Sequence, residues 1–253
     1  MTSAPPSRYS ACIELLFADN TPSYGDRIRR AAAAGFAAVE FWSWGDKDLA
    51  DIESALAETG VGLAAMIAEP MLALTDPANH AQFLDGLRAT IATARRLGAA
   101  NLIGLSGNTR PGVPRDLQRR AVVDALSRAA DLLAGTGIAL ALEPLNDRID
   151  HKGYFLASTV EALDTVDAVG RPEVKLLYDI YHSAVMGEAT DAVIGTRASR
   201  IAHVHLADHP GRHEPGTGKI DWRERIVWLR RAGYAGLIGL EYKPTGRPIP
   251  DLP

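Results

Sequence analysis

Three carboxylates and one imidazole stand where short apolar runs end. The runs Ala139-Leu140-Ala141-Leu142, Leu176-Leu177-Tyr178 and Gly239-Leu240 end in Glu143, Asp179 and Glu241, while His205 lies within His203-Val204-His205-Leu206. Singly, each has a plain structural role. A carboxylate at a strand end commonly caps a helix or closes a loop ion pair, and a histidine in an apolar strand is commonly a hydrogen-bonded core residue. Four unrelated caps, however, have no reason to fall on four consecutive strands. Brought to one mouth, these groups repel or stay protonated unless a cation lies between them. Hard oxygen ligands with one nitrogen suit a divalent ion, Mn2+ or Mg2+, with Co2+ a further candidate. Four protein ligands leave two octahedral positions for adjacent oxygens of a substrate. Glu40 ends an earlier run at the same level and is expected in a structural ion pair across the way.

The elements that must position these residues follow a repeated grammar. Amphipathic Ala/Leu/Arg-rich stretches end at Gly35, Gly60, Gly98, Gly137, Gly170, Gly195 and Gly233, each followed by a short apolar run. Such a glycine closes a helix by entering the left-handed region, and the run after it reads as a strand buried on both faces. The glycines lie 25, 38, 39, 33, 25 and 38 residues apart, the length of one strand-helix unit each. With a first strand at 10–17, the others fall at 36–42, 61–67, 99–105, 137–143, 174–179, 201–206 and 236–241. Eight parallel strands with helices between them in about 250 residues predict an α/β TIM (β/α)8 barrel, with a doubly wound open sheet as the competitor. One domain over 1–253 is expected, with 1–7 as a disordered tail and loops at 107–114 and 209–218. Twelve residues follow Glu241, and they include Pro244, Pro248, Pro250 and Pro253. Proline at this density is incompatible with an ordinary helix, so the eighth helix is expected to be missing or truncated.

Composition narrows the function classes. The 253 residues are 47% apolar and 23% charged, enough for a substantial core. A net charge of −4 argues against nucleic acid or an anionic membrane as partner. Cys12 is the single cysteine, which excludes an internal disulfide and a multi-thiolate zinc site and suggests a reducing cytoplasm. No apolar run approaches the ~20 residues of a membrane span, and the first ten residues lack a signal-peptide pattern. Several familiar motifs fail. Gly216-Thr217-Gly218-Lys219 lacks the spacing and the Ser/Thr of a phosphate loop, no GxGxxG follows the first strand, and Ser106 is not in a GxSxG elbow. The cluster Arg115, Arg119 and Arg120 reads as a solvated helix face.

Three segments carry a family resemblance. Glu143-Pro144-Leu145-Asn146, Tyr178-Asp179-Ile180-Tyr181-His182 and Asp208-His209-Pro210-Gly211-Arg212-His213-Glu214-Pro215-Gly216 closely resemble hydroxypyruvate isomerases, as does Gly239-Leu240-Glu241-Tyr242-Lys243-Pro244. Those enzymes belong to the xylose-isomerase-like TIM barrels, together with ketose 3-epimerases and inosose dehydratases. The resemblance implies that Glu143, Asp179 and Glu241 bind the metal and that Glu143 and Glu241 also move protons. It implies that His182 and Arg212 contact substrate oxygens, and pairing of barrels in the superfamily implies a homo-oligomer. The chain also departs from the pattern. Hydroxypyruvate isomerases commonly have glutamine where this chain has His205, whereas sugar epimerases have histidine. Lys152 stands where a proline is common, and Phe41-Trp42-Ser43-Trp44 looks more like general sugar isomerases.

The expected chemistry is proton transfer beside a carbonyl. A cation chelating the carbonyl and the neighbouring hydroxyl would stabilise a cis-enediolate, while Glu143 and Glu241 take and return the proton. Return to the neighbouring carbon gives an isomerase of a small hydroxy-aldehyde or keto compound; opposite-face return to the same carbon gives a ketose 3-epimerase. Expulsion of a hydroxyl instead gives an inosose-type dehydratase. A phosphodiester-cleaving barrel would need a histidine-rich multi-metal mouth and a basic groove, and a sugar-binding barrel without catalysis is the remaining reading. Trp42 and Trp44 are candidates to cover the apolar face of a small sugar or simply to pack.

Overall fold

The computed structural model describes residues 8–247 of the chain. Eight strands run parallel and close in sequence order, β1 returning to pair with β8. They are β1 (Tyr9–Cys12), β2 (Ala38–Glu40), β3 (Gly62–Ile67), β4 (Asn101–Leu105), β5 (Ala139–Glu143), β6 (Val174–Asp179), β7 (Ile201–Leu206) and β8 (Ile238–Leu240). The barrel prediction therefore holds and the open sheet is excluded. Each crossover carries helix: α1 (Tyr24–Ala33), α2 (Leu49–Thr59), α3 (His80–Leu97), α4 (Arg115–Leu133) and α5 (Thr159–Val169) follow β1 to β5. The short α6 (Ile180–Val185) and α7 (Thr190–Ile194) share the next crossover, and α8 (Trp222–Arg231) precedes β8. Among the described residues no helix follows β8; the expected tail at 1–7 and the prolines at 248, 250 and 253 lie outside the described residues.

Local chemistry explains the boundaries. Gly60, Gly98 and Gly170 close α2, α3 and α5 with φ of 70°, 73° and 65°, a region that only glycine enters without steric penalty. Ser23, Asp48 and Asp221 cap α1, α2 and α8 by accepting backbone N–H groups of the first turn. The first strand is shorter than the 10–17 expected. Leu15 and Leu16 donate their N–H groups back to the carbonyl of Cys12, turning the chain so that Glu14 can reach Lys47 at 2.8 Å.

Side chains alternate along the strands, and the two faces divide the labour. Outward residues such as Leu102, Leu140, Leu142, Leu176 and Val204 are fully buried against the helix ring. The inner face holds a smaller apolar plug of Ala65, Ile67, Ile103, Ala141 and Leu177. Polar groups occupy the inner face toward the carboxyl ends, where TIM-barrel sites are built. Register brings them together: Asp179 lies beside His205, and His205 beside Gly239, two residues before Glu241. Truncating the plug leaves a cavity beneath the polar layer that the barrel wall cannot close. Ile103→Ala is expected to lower stability by ~2–5 kcal/mol in denaturant unfolding, the usual range for such a deletion.

Candidate active site

Four side chains meet at the carboxyl end of the barrel. Glu143 and Asp179 end β5 and β6, His205 lies on β7, and Glu241 is the residue after β8. All four are buried, and each offers a ligand atom within 4.8 Å of the other three. His205 Nδ1 is 3.4 Å from Glu143 Oε1 and 3.4 Å from Glu241 Oε2, and among the described residues it has no hydrogen-bond partner. A buried nitrogen left unpaired among carboxylate oxygens is what a cation would satisfy, so the donor set fits a divalent metal. The charge balance leads to the same place. Burial pushes Glu143 up, and the neighbouring Glu241 and Asp179 add to that, against the pull of His205. Burial also opposes the charge on Glu241, yet Arg212 and His205 hold it below the usual carboxylate range. His205 is buried as well, but Glu241 and Glu40 raise it well above an ordinary histidine.

Asp179 is aimed by the helix it begins. Its Oδ1 accepts the N–H groups of Tyr181 at 2.6 Å and His182 at 3.0 Å, capping α6. Its Oδ2 is left toward the site, 3.6 Å from His182 Nε2 and 3.8 Å from Arg212 Nη2. The cap and the candidate ligand are thus two oxygens of one carboxylate, a combination that the separate readings of the sequence treated as alternatives.

His182 and Arg212 both reach the mouth of the barrel beside Asp179. Asn146 donates its backbone N–H to His182 Nδ1 at 3.0 Å, which places the proton of the neutral ring on Nε2. That Nε2 is buried and has no hydrogen-bond partner among the described residues. Arg212 has φ 56°, an uncommon conformation for a side-chain-bearing residue. Its Nη2 pairs with Glu241, its guanidinium lies 5.2 Å from the Tyr181 ring centroid, and its Nε is buried without a partner among the described residues.

The loop bearing Arg212 is organised by Asp208. Asp208 Oδ1 accepts from His209 N at 2.8 Å and Ile220 N at 3.0 Å, and Oδ2 from Gly216 N at 2.7 Å. Lys243 N donates to the Arg212 carbonyl at 2.7 Å, and Thr245 is bonded to Glu214, so the segments after β7 and β8 are tied together. The two tryptophans separate in role. Trp42 donates its indole N–H to Glu241 Oε1 at 2.7 Å; Trp44 turns away to Thr90 on α3 at 3.1 Å. Glu14 accepts from Trp42 N at 3.0 Å, and the Glu14–Lys47 pair braces that loop. Glu40, expected in a structural ion pair, places its Oε2 at hydrogen-bond distance from His203 Nε2, 2.6 Å away.

Sequence reasoning missed the site roles of Asn146 and Asp208, and for Trp42 it offered sugar covering or packing rather than the bond to Glu241. Asn146 and Asp208 belong to the quoted motifs, so a signal existed for them. Trp42 lies 199 residues from Glu241, and no local pattern announces that bond.

The model of the xylose isomerase-like TIM barrel matches residues 28–252. The chain belongs to that family. Hydroxypyruvate isomerase of Escherichia coli (strain K12) is 34% identical over 246 residues, spanning 94% of this chain and 93% of its own. A crystal structure described as AP endonuclease, family 2, from Brucella melitensis superposes with TM-score 0.88 at 30% identity, over 96% of this chain and 95% of that one. D-allulose 3-epimerase from Methylomonas sp. superposes with TM-score 0.75 at 26% identity, over 86% and 77%. The isomerase and epimerase relatives support an enzyme of this kind acting on a small molecule. Among the described residues no helix is long and apolar enough to cross a membrane.

Burial holds His182 down to about 4, below its ordinary 6.5; Asp179 partly offsets this and Arg212 adds to it. A histidine depressed in the folded state stabilises the fold fully above the unfolded value and less as pH falls. His182 is therefore expected to stay neutral, with its proton on Nε2, through pH 6.5 to about 5, and to weaken stability as pH falls toward 4. Imidazole 15N shifts followed across this range check it; a ring charged at pH 6 would contradict the assignment.

Proposed function

We propose that the chain is a divalent-metal-dependent isomerase of a small hydroxy-carbonyl compound, of the hydroxypyruvate type or a short sugar, working by proton transfer through a cis-enediolate. The observation that carries this reading is the buried Glu143–Asp179–His205–Glu241 cluster with two glutamates in it. These four residues would hold Mn2+ or Mg2+, with Co2+ also compatible with the nitrogen ligand. The bound ion would supply electrophilic stabilisation of the negative charge that develops on the substrate oxygens.

The chain's own groups account for the rest. Glu143 and Glu241 enter from β5 and from the end of β8, so one can take a carbon-bound proton and the other return it. Glu241 is held at both oxygens, by Trp42 on Oε1 and Arg212 on Oε2, which fixes its orientation and favours its ionised form. His182 presents its Nε2–H to a substrate oxygen, and its low basicity keeps it a neutral donor. Arg212 offers its unpaired Nε–H to a substrate carboxylate or hydroxyl.

A second reading, a ketose 3-epimerase on the same residues, is favoured by His205, a histidine where hydroxypyruvate isomerases commonly have glutamine, and by the likeness to D-allulose 3-epimerase. Hydroxypyruvate and C4–C6 ketoses assayed with Mn2+ separate the two by product; a dehydratase would show itself by loss of water in the product mass. Glu143→Gln and Glu241→Gln are each expected to lower turnover by at least ~100-fold and to stop solvent deuterium entering the substrate. Full activity in either variant would remove the mechanism. Trp42→Phe is expected to cost roughly 10–100-fold in kcat, because a hydrogen bond to a charged group is worth about 1.5–3 kcal/mol. A matching rise in KM with kcat unchanged would instead make Trp42 a binding residue.

A further inference from the structure

Beneath the four candidate ligands lies a second buried polar group that the reaction does not use. Glu40, His203 and Ser10 face the barrel interior and are nearly or wholly inaccessible. Glu40 Oε2 is held by His203 Nε2 at 2.6 Å and by the Ser10 hydroxyl at 3.4 Å. Among the described residues its other oxygen, Oε1, has no hydrogen-bond partner and lies 3.4 Å from His205 Nε2, which has none either. Two buried orphans of complementary chemistry thus face each other on the side of His205 away from Glu143 and Glu241.

The backbone makes room for this contact. The β2–β3 register shifts between Val39 and Glu40, as at a bulge that re-aims a side chain. On β8, separated from β2 only by β1, a Cβ on Gly239 would collide with Glu40 Oε1. Glycine at 239 is therefore the complement of a carboxylate at 40.

We infer that Glu40 is a positioning residue for the proposed metal: it accepts the Nε2 proton of His205, so that the lone pair of Nδ1 is the one presented to the ion. This rests on the metal-dependent reading above. A ligating imidazole must carry its proton on the nitrogen away from the metal, and a buried N–H without an acceptor is costly. A carboxylate at that position fixes the tautomer and the ring orientation and makes the ligand more basic. The same three residues, Glu40, His203 and His205, could instead enclose a second ion. That arrangement would require both His205 nitrogens to be ligands and would break the close Glu40–His203 contact, so the relay is the better account.

Titration calorimetry with Mn2+ on the wild-type protein, Glu40→Gln, Gly239→Ala and the double variant tests it, with thermal unfolding of the metal-free forms as a check on folding. One ion per wild-type chain is expected, with affinity weakened 10–100-fold in each single variant. The double variant is expected to be little worse than the weaker single, because both remove one contact. Imidazole 15N spectra of the Mg2+-loaded wild type are expected to show His205 protonated at Nε2, and they decide the matter if a variant fails to fold. Unchanged affinity in Glu40→Gln, two ions per chain, or an unprotonated Nε2 would overturn the relay while leaving metal dependence intact. A wild-type chain that binds no divalent ion would overturn both.

Discussion

The mouth of this barrel gathers more negative charge than a buried space can hold. Glu143, Asp179 and Glu241 are within a few ångströms of one another and nearly inaccessible to water. Mutual repulsion and lost hydration both disfavour three ionised carboxylates there. His205 and Arg212 supply compensation from within the chain, and a divalent ion would supply more. Much of the surrounding structure follows from that imbalance. Arg212, at a φ of 56°, pairs with Glu241, Trp42 reaches past β1 to the same carboxylate, and Asp179 caps a helix with one oxygen while the other faces His182 and Arg212.

Precision at the site comes from two kinds of support. Strands deliver the cluster, because the registers of β6, β7 and β8 fix Asp179, His205 and Glu241 relative to one another. Loops deliver the groups that would meet the substrate, and each loop is stiffened by a side chain of its own. Asp208 gathers three backbone N–H groups around the Arg212 turn. Asn146 holds Ile149 and Asp150 through its side chain and His182 through its backbone. Glu14 does the corresponding work for Trp42.

Much of this was legible in the sequence because it is locally encoded. Apolar runs after helix-closing glycines mark the strands, and the last residue of a strand must lie at the rim, so Glu143, Asp179 and Glu241 could be placed together before any coordinates. What escaped is encoded by closure. Whether Glu40 meets His203 and His205 depends on β2 facing β7 across the interior, and on a register shift with no sequence signature. The shortening of β1 at Cys12 is of the same kind, since Glu14 is drawn over the rim by Lys47 on another loop. Trp42 and Trp44 share a residue type and nearly a position, yet one serves the site and the other packs on Thr90.

The distribution of these groups along the chain gives the two halves of the barrel unequal roles. A fragment comprising β5 to β8 would contain all four candidate ligands together with His182 and Arg212. It would lack Glu40 behind the imidazole and Trp42 against Glu241, both of which come from the segment around β2. One half carries the candidate ligands and the other supplies contacts to two of them, so the orientation of His205 and Glu241 belongs to the closed ring.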